Sequence, residues 1–328
     1  MSHNIPSNQS SWPSKDLQEA YFMQYFIQEL AQWFDTCDAS GKHFARVVPG
    51  RATTCPALYY AILSASARHI SRRQRLSDGD VLFSGKKLPI VGDEIALEYQ
   101  GLCISRLVAS YSSVDEVLLD EDLLTATVIL RFYEEVDAPL AGIDNETYLR
   151  GTQILASAQA ATAIEKEGLQ RASFWVAFRQ EFHKALLKQR AFSFNPDCCR
   201  SEAYGTLNTA DDSTWANRMI LHCADILGYC YGDGLHILDS YNALLEYNQA
   251  WQELAPSVFS PIFSKEPDRS RGEVFPELWY LDDCTGGDRV TDRLEQNALL
   301  DVLVRTEKIH ALPTTDAQER LKYAWKIV

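Results

Sequence analysis

A chain of 328 residues, 46% of them hydrophobic, can bury a sizeable core, which excludes a disordered regulator. Asp and Glu number 45 against 31 Lys and Arg, and the resulting charge of -14 repels a phosphate backbone unless basic side chains gather on one face; autonomous binding to duplex DNA is not expected. Cys37, Cys55, Cys103, Cys198, Cys199, Cys223, Cys230 and Cys284 form no C-x2-C pair, the N-terminus lacks a signal-peptide layout, and no run approaches the roughly 18 apolar residues of a membrane span, so the expected location is intracellular, in nucleus or cytoplasm.

Residues 1–13 read as a disordered segment and 14–328 as a single helical domain with an atypical end after about 284. SKDLQEAYFMQYFIQELAQWF offers Ser14 as a cap and a broad face of Leu17, Tyr21, Phe22, Tyr25, Phe26, Leu30, Trp33 and Phe34 at helical spacing. A second helix is predicted from Pro56, which suits a first turn, with Ala61, Ser64, Ala65 and Ala67 small enough for close helix approach. After the polar link SDGDVLFSGKKLPIVGD come EIALEYQGLCISRLVAS, DEDLLTATVILRFYEE and NETYLRGTQILASAQAATAI, joined by connections suited to antiparallel helices. LQRASFWVAFRQEFHKALLKQ, STWANRMILHCADILGYCYG, LHILDSYNALLEYNQAWQEL and VFPELWYLDD continue the helical pattern, and only ARVV and AFSF suggest strands. The fold class is all-α, an irregular array of roughly eight to ten helices without a fixed-period repeat.

Within LRFYEEVDAPLAGIDNETYLRGTQ the apolar run meets Glu134, Glu135, Asp137 and Pro139 before helical spacing resumes. Acids at a helix C-terminus gain nothing from the helix dipole, so they need another partner. Arg150, across the bend, is one candidate, which would make the cluster a lock between two helices. The same three acids are also the candidates for general acid-base catalysis.

The phrases WFD, FARVVP, CPALYYAI, ARH, LRFYEE, LRGTQ and the FW..FRQE spacing occur in this order, and with them residues 17–284 resemble the C-terminal regulatory region of fungal zinc binuclear cluster transcription factors. That resemblance implies a regulatory role, a possible homodimer or transcription-regulatory protein partner, and small-molecule sensing. It implies no catalytic residues. The family's six-cysteine zinc module has no counterpart before Leu17, and after Cys284 the chain passes into TGGDRV and a short tail where relatives continue through further helices.

His43, His69, His183, His222, His236 and Cys223 show no zinc-ligand spacing, and no metal site is expected. YCYGDG and SGKK lack the strand-to-helix setting of a phosphate loop, so no cofactor is expected either. Arg179 and His183 are four residues apart on one helical face, a spacing that could pair an anion-holding guanidinium with a titratable base; Trp175 lies a further turn back. Arg150, Arg179, His183 and Trp175 are thus the ligand-binding candidates, for a small apolar metabolite. The Cys198–Cys199 pair reads as loop thiols, and RHISRRQR as a solvated helix end.

Two functions fit these residues. One is a stand-alone regulatory protein acting through partner association or small-molecule sensing. The other is a cofactor-independent enzyme of specialised metabolism, an isomerase or cyclase moving protons on a small apolar metabolite, with His183, Glu134, Glu135 and Asp137 as its acid-base groups.

Overall fold

The first helix, α1 (Leu17–Tyr25), begins where the Asp16 carboxylate accepts from the N–H groups of Gln18 at 2.7 Å and Glu19 at 3.3 Å. In this computed structural model the described residues are 16–38, 41–76, 82–83, 85–87, 90–109, 118–141, 144–234, 237–271 and 277–280. Residues 1–13, Ser14, His236 and the segment after 284 lie outside them. The described chain is almost entirely helical, with about ten helices and neither a layered sheet nor a barrel.

Beyond α1 the chain widens into a π-helical turn, Phe26–Leu30, and returns to a short helix, Ala31–Phe34. Phe22, Phe26, Leu30 and Phe34 are all buried. A strict four-residue repeat drifts around a helix of 3.6 residues per turn, and the wider turn cancels that drift. Leu17 and Trp33 were expected on the same face; both are exposed, Leu17 at the first position of α1 and Trp33, at 63%, after the register change.

Two compact units emerge from the described chain. The first holds residues up to Lys184 together with Ser193–Glu202. Its central element is α2 (Pro56–Leu76), buried on nearly every side. It packs against α1, α3 (Asp93–Ala109) and α4 (Glu121–Ala141). Ala61, Ser64, Ala65 and Ala67 are completely buried, as close helix packing requires, and the Cys103 thiol on α3 donates to the Ala57 carbonyl on α2 at 3.2 Å. Asp120 caps α4, whose inner side presents Leu124, Val128, Ile129 and Phe132.

α5 (Thr147–Glu165) packs on α4, and α6 (Leu169–Lys188) follows after Gly168, whose φ of +117° is a conformation that only glycine adopts readily. Gln180 on α6 donates to the Val128 carbonyl at 2.9 Å, and Thr125 and Ser173 share a 2.8 Å hydrogen bond, tying α6 to α4. The unit boundary falls inside α6, after Lys184.

The second unit contains α7 (Asp212–Tyr231) and α8 (Leu238–Leu254), packed together through Trp215 and Trp251 with ring centroids 6.1 Å apart. Asp211 caps α7 through the Thr214 N–H at 2.7 Å. The buried Arg218 donates to the carbonyls of Ala203 and Asn208 and lies over the Trp215 ring. VFPELWYLDD, expected to be helical, instead contributes strand Glu277–Trp279, antiparallel to Phe263–Lys265. Contact between the Phe263 and Trp279 rings, tilted at 42° with centroids 4.9 Å apart, favours this pairing. The suggested strand ARVV is helical, AFSF is irregular, and the other observed pairing joins Leu82–Phe83 to Lys86–Lys87.

Replacing Ala65 by Leu forces a larger side chain into the closest packing around α2. It is expected to lower unfolding free energy by about 1–3 kcal/mol. Ile154→Ala, at an exposed position on α5, is expected to stay within about 0.5 kcal/mol of the parent. Chemical denaturation of both variants checks the contrast.

Candidate functional site

The acids of the interrupted stretch do have a partner, and it is Arg131 rather than Arg150. Arg131 projects from α4 at 1% side-chain exposure and donates to Glu134 at 2.8 Å, to Glu135 at 3.1 Å and, through both terminal nitrogens, to the two oxygens of Asp144 at 2.8 Å. Lys184 of α6 reaches the same Asp144 at 2.6 Å and Glu146 at 3.5 Å. Glu134 also accepts from the N–H groups of Thr147 and Tyr148, so it caps the start of α5. The bend is therefore closed by charge: the end of α4, the start of α5 and one point on α6 converge on Arg131 and Asp144. Arg150 is exposed on α5.

Asp137, one turn beyond Glu134, belongs to a second cluster. It pairs with Arg68 and Arg72 of α2, and Asp93, the first residue of α3, pairs with Arg68, Arg72 and Arg75. Arg68 also donates to the Tyr133 hydroxyl and lies over its ring, while Ser71 donates to Asp93 at 2.6 Å. RHISRRQR is thus no solvated helix end over its first five residues: Arg68 and Arg72 are buried because two carboxylates from α3 and α4 meet them. The exposed Arg73 bonds the Tyr25 hydroxyl and pairs with Glu29.

The ionisation behaviour follows from these contacts. Burial disfavours the Asp144 carboxylate, but hydrogen bonds from Arg131, Lys184 and the Glu146 N–H outweigh it and hold the group well below the usual carboxylate range. Asp93 is lowered in the same way: burial opposes its charge, and Ser71 with Arg72, Arg68 and Arg75 overcomes it. Around Arg131 and Lys184, four carboxylates face two cations. Glu135 takes up part of the excess: burial pushes it up to about 7 against the opposing pull of Arg131, with Asp144 and Glu134 adding to the rise. Asp35, buried beneath the Phe44 and Ala45 N–H groups that it caps, is pushed up to about 6 by burial.

His183 is exposed on α6 and Arg179 is half-buried one turn earlier, whereas Trp175 is buried against Phe174 and Phe178. Glu181, on the same helix, was not among the candidates; it is fully buried and accepts from Gln153 at 2.7 Å and from the Ser193 N–H at 2.9 Å. His43 pairs with Asp38, His69 bonds the Tyr25 hydroxyl and is pushed down to about 4 by burial, and His222 lies against Tyr247. Among the described residues no group of three or more His, Cys, Asp or Glu side chains is placed to hold a metal ion, and no helix is long and apolar enough to cross a membrane.

Residues 21–174 match the family described as "Fungal specific transcription factor domain". The match covers just under half of the chain. It lies in the N-terminal half, which corrects the placement drawn from the sequence phrases, where the resemblance ran to 284 and was to a C-terminal region. No curated protein and no solved structure matches the chain. A transcription-factor-associated segment on an all-helical fold is consistent with a general regulatory role. Both ion clusters fall on this segment except for Lys184.

Removing the Arg131 guanidinium leaves Glu134, Glu135 and Asp144 facing one another. Arg131→Met is expected to cost about 3–5 kcal/mol of stability, whereas Arg150→Ala is expected to stay within about 0.5 kcal/mol. Thermal and denaturant unfolding of the two variants tests which arginine closes the bend.

The two shifted acids act in opposite directions with pH. Asp144, lowered in the folded state, contributes stability above the ordinary carboxylate range, and this is lost as pH falls below it. Glu135, raised from 4.5, contributes stability that is full below that value and is lost as pH rises through about 7. Glu135→Gln should therefore gain stability relative to the parent as pH rises through about 7, measured by melting both proteins across a pH series.

Proposed function

We propose that this chain is a regulatory protein that works by associating with a transcription-regulatory protein partner. The observation that carries the reading is the outer side of α3. Leu97, Ile104 and Val108 are exposed at 53%, 41% and 77%, and with Gly101 they follow one another at spacings of four, three and four residues. That spacing forms a single apolar seam along a helix, the kind that packs on another helix. The buried side of the same helix, Ala96 and Cys103, is already committed to the core. The match of residues 21–174 to a transcription-factor-associated family includes all of α3 and supports the same direction.

Charge supports association with protein rather than nucleic acid. The basic run on α2 holds its arginines in ion pairs and hydrogen bonds with Asp93, Asp137, Glu29 and Tyr25, which leaves little positive field to attract a phosphate backbone. The enzymatic reading gains no comparable support. Glu134 and Glu135 hold Arg131, Asp137 holds Arg68 and Arg72, and His183 is exposed on α6.

The test is a tethering assay. The chain fused to a heterologous DNA-binding module is expected to change transcription from a matching reporter, and Leu97→Asp with Ile104→Asp is expected to return output to that of the module alone while the fusion remains folded and equally abundant. A parent fusion that leaves the reporter unchanged sinks the regulatory reading. A double variant as active as the parent sinks the role of the α3 seam.

A further inference from the structure

The vicinal cysteines are not engaged by any contact that the regulatory reading uses. They end a short 3-10 turn, Pro196–Cys199, which Asn195 caps by accepting from the Asp197 N–H at 3.0 Å. The turn splits the pair between two environments: Cys198 is exposed, whereas Cys199 is completely buried. Their sulfurs are nonetheless 3.7 Å apart, within reach of an S–H···S hydrogen bond. We propose that Cys198 is a reversible thiolation site that takes a small-molecule disulfide such as oxidised glutathione, with Cys199 as the buried thiol that stabilises the attacking sulfur.

Two observations carry this. First, exposure and nucleophilicity coincide at one atom. The hydrogen bond from Cys199 lowers the Cys198 thiol to about 7, against the opposing effects of burial and Asp197. Burial pushes the thiols of Cys103 and Cys230 up to about 12 and raises that of Cys55, which makes them poor nucleophiles at neutral pH. Second, the charges around the turn are already balanced locally: Asp197 pairs with Arg200 at 3.0 Å, so its repulsion of a thiolate is partly offset. The 2.8 Å hydrogen bond that the Cys198 thiol donates to the Asn195 carbonyl favours the neutral thiol and is given up on ionisation, which leaves Cys199 as the neighbouring side-chain donor. The Cys199 thiol is therefore what makes the anion tolerable.

In the reaction the Cys198 thiolate attacks one sulfur of the disulfide R–S–S–R. A Cys198–S–S–R bond forms, the original S–S bond breaks, and the departing R–S⁻ takes up the proton that Cys198 released, giving R–SH. Cys198 is oxidised and half of the small disulfide is reduced, so the step balances without another reagent. Cys199 does not readily complete a second exchange. A bond between the two would join residues whose Cα atoms are about 3.8 Å apart, below the roughly 4.4 Å lower limit of ordinary disulfides. The mixed disulfide is consequently the durable product, and excess monothiol reverses it.

The experiment treats the full chain with oxidised glutathione at neutral pH and follows each cysteine by peptide mass spectrometry. The expected result is a glutathionyl adduct on Cys198, formed about tenfold faster than on the partly exposed Cys37 and removed by excess monothiol. Cys199→Ala should slow the adduct on Cys198 about tenfold at neutral pH. In the parent protein, alkylation of Cys198 by iodoacetamide should reach half its limiting rate near pH 7, a readout that does not depend on any variant folding. A Cys198 rate no greater than that of Cys37, or a rate unchanged by Cys199→Ala, overturns the proposal.

Discussion

A guanidinium has no neutral form to retreat to at physiological pH, so an arginine that enters an apolar interior must bring carboxylates with it. Much of the first unit is arranged around that constraint. Arg131, buried on α4, draws Glu134 and Glu135 from its own helix and Asp144 from the bend that follows. Arg68 and Arg72, buried on α2, draw Asp93 from the start of α3 and Asp137 from α4. Asp93 and Asp144, with Glu134 through the Thr147 and Tyr148 N–H groups, therefore fix places where a helix begins. The bidentate contact of Asp144 with Arg131 is the most directional of these, because a planar fork meets both carboxylate oxygens at once.

Arg218 in the second unit meets the same constraint by another route. It uses two backbone carbonyls and the face of Trp215 in place of carboxylates, and burial accordingly lowers its pKa, whereas the carboxylates around Arg131 raise that arginine's above the ordinary value despite burial. Carbonyl dipoles satisfy the donors without neutralising the charge. A carboxylate does both, and it makes the site sensitive to pH. The acid dependence of the first unit is a consequence of that choice of partner.

Helical periodicity and the small residues of α2 were legible in the sequence, because both depend on spacing along one helix. The cap at Asp16, the exposure of Trp33 and the strand at Glu277–Trp279 were not. Trp33 is exposed after a π-helical turn that changes the register, and the strand exists because Phe263 offers Trp279 a cross-strand partner. The expected lock of Glu134, Glu135 and Asp137 on Arg150 is only partly what forms: Glu134 and Glu135 meet the buried Arg131 of their own helix, which also holds Asp144, whereas Asp137 turns to Arg68 and Arg72 and Arg150 is exposed. The same limit applies to RHISRRQR, where local charge suggested solvent and only the meeting of three helices reveals burial. His183 and Arg179 do share one side of α6, yet nothing in their spacing tells that Trp175 turns inward from that side.

Conspicuous residues and available residues are different sets in this chain. The acids and arginines that stand out in the sequence are spent on one another, and the shifted pKa values follow from this packing: burial raises Glu135 against the pull of Arg131, and hydrogen bonds from Arg131 and Lys184 lower Asp144 against burial. What a structural role does not consume is less prominent: an apolar seam interrupted by a glycine on α3, and an exposed sulfur beside a buried one after Asn195. Burying the seam against a partner would recover the hydrophobic free energy that folding leaves unused along Leu97, Ile104 and Val108. No rearrangement of the ion pairs beneath it is required, since Asp93 makes its contacts from the first turn of α3 and Ala96 and Cys103 face inward. A binding surface of this kind can change its partner without disturbing the charges that hold the helices together.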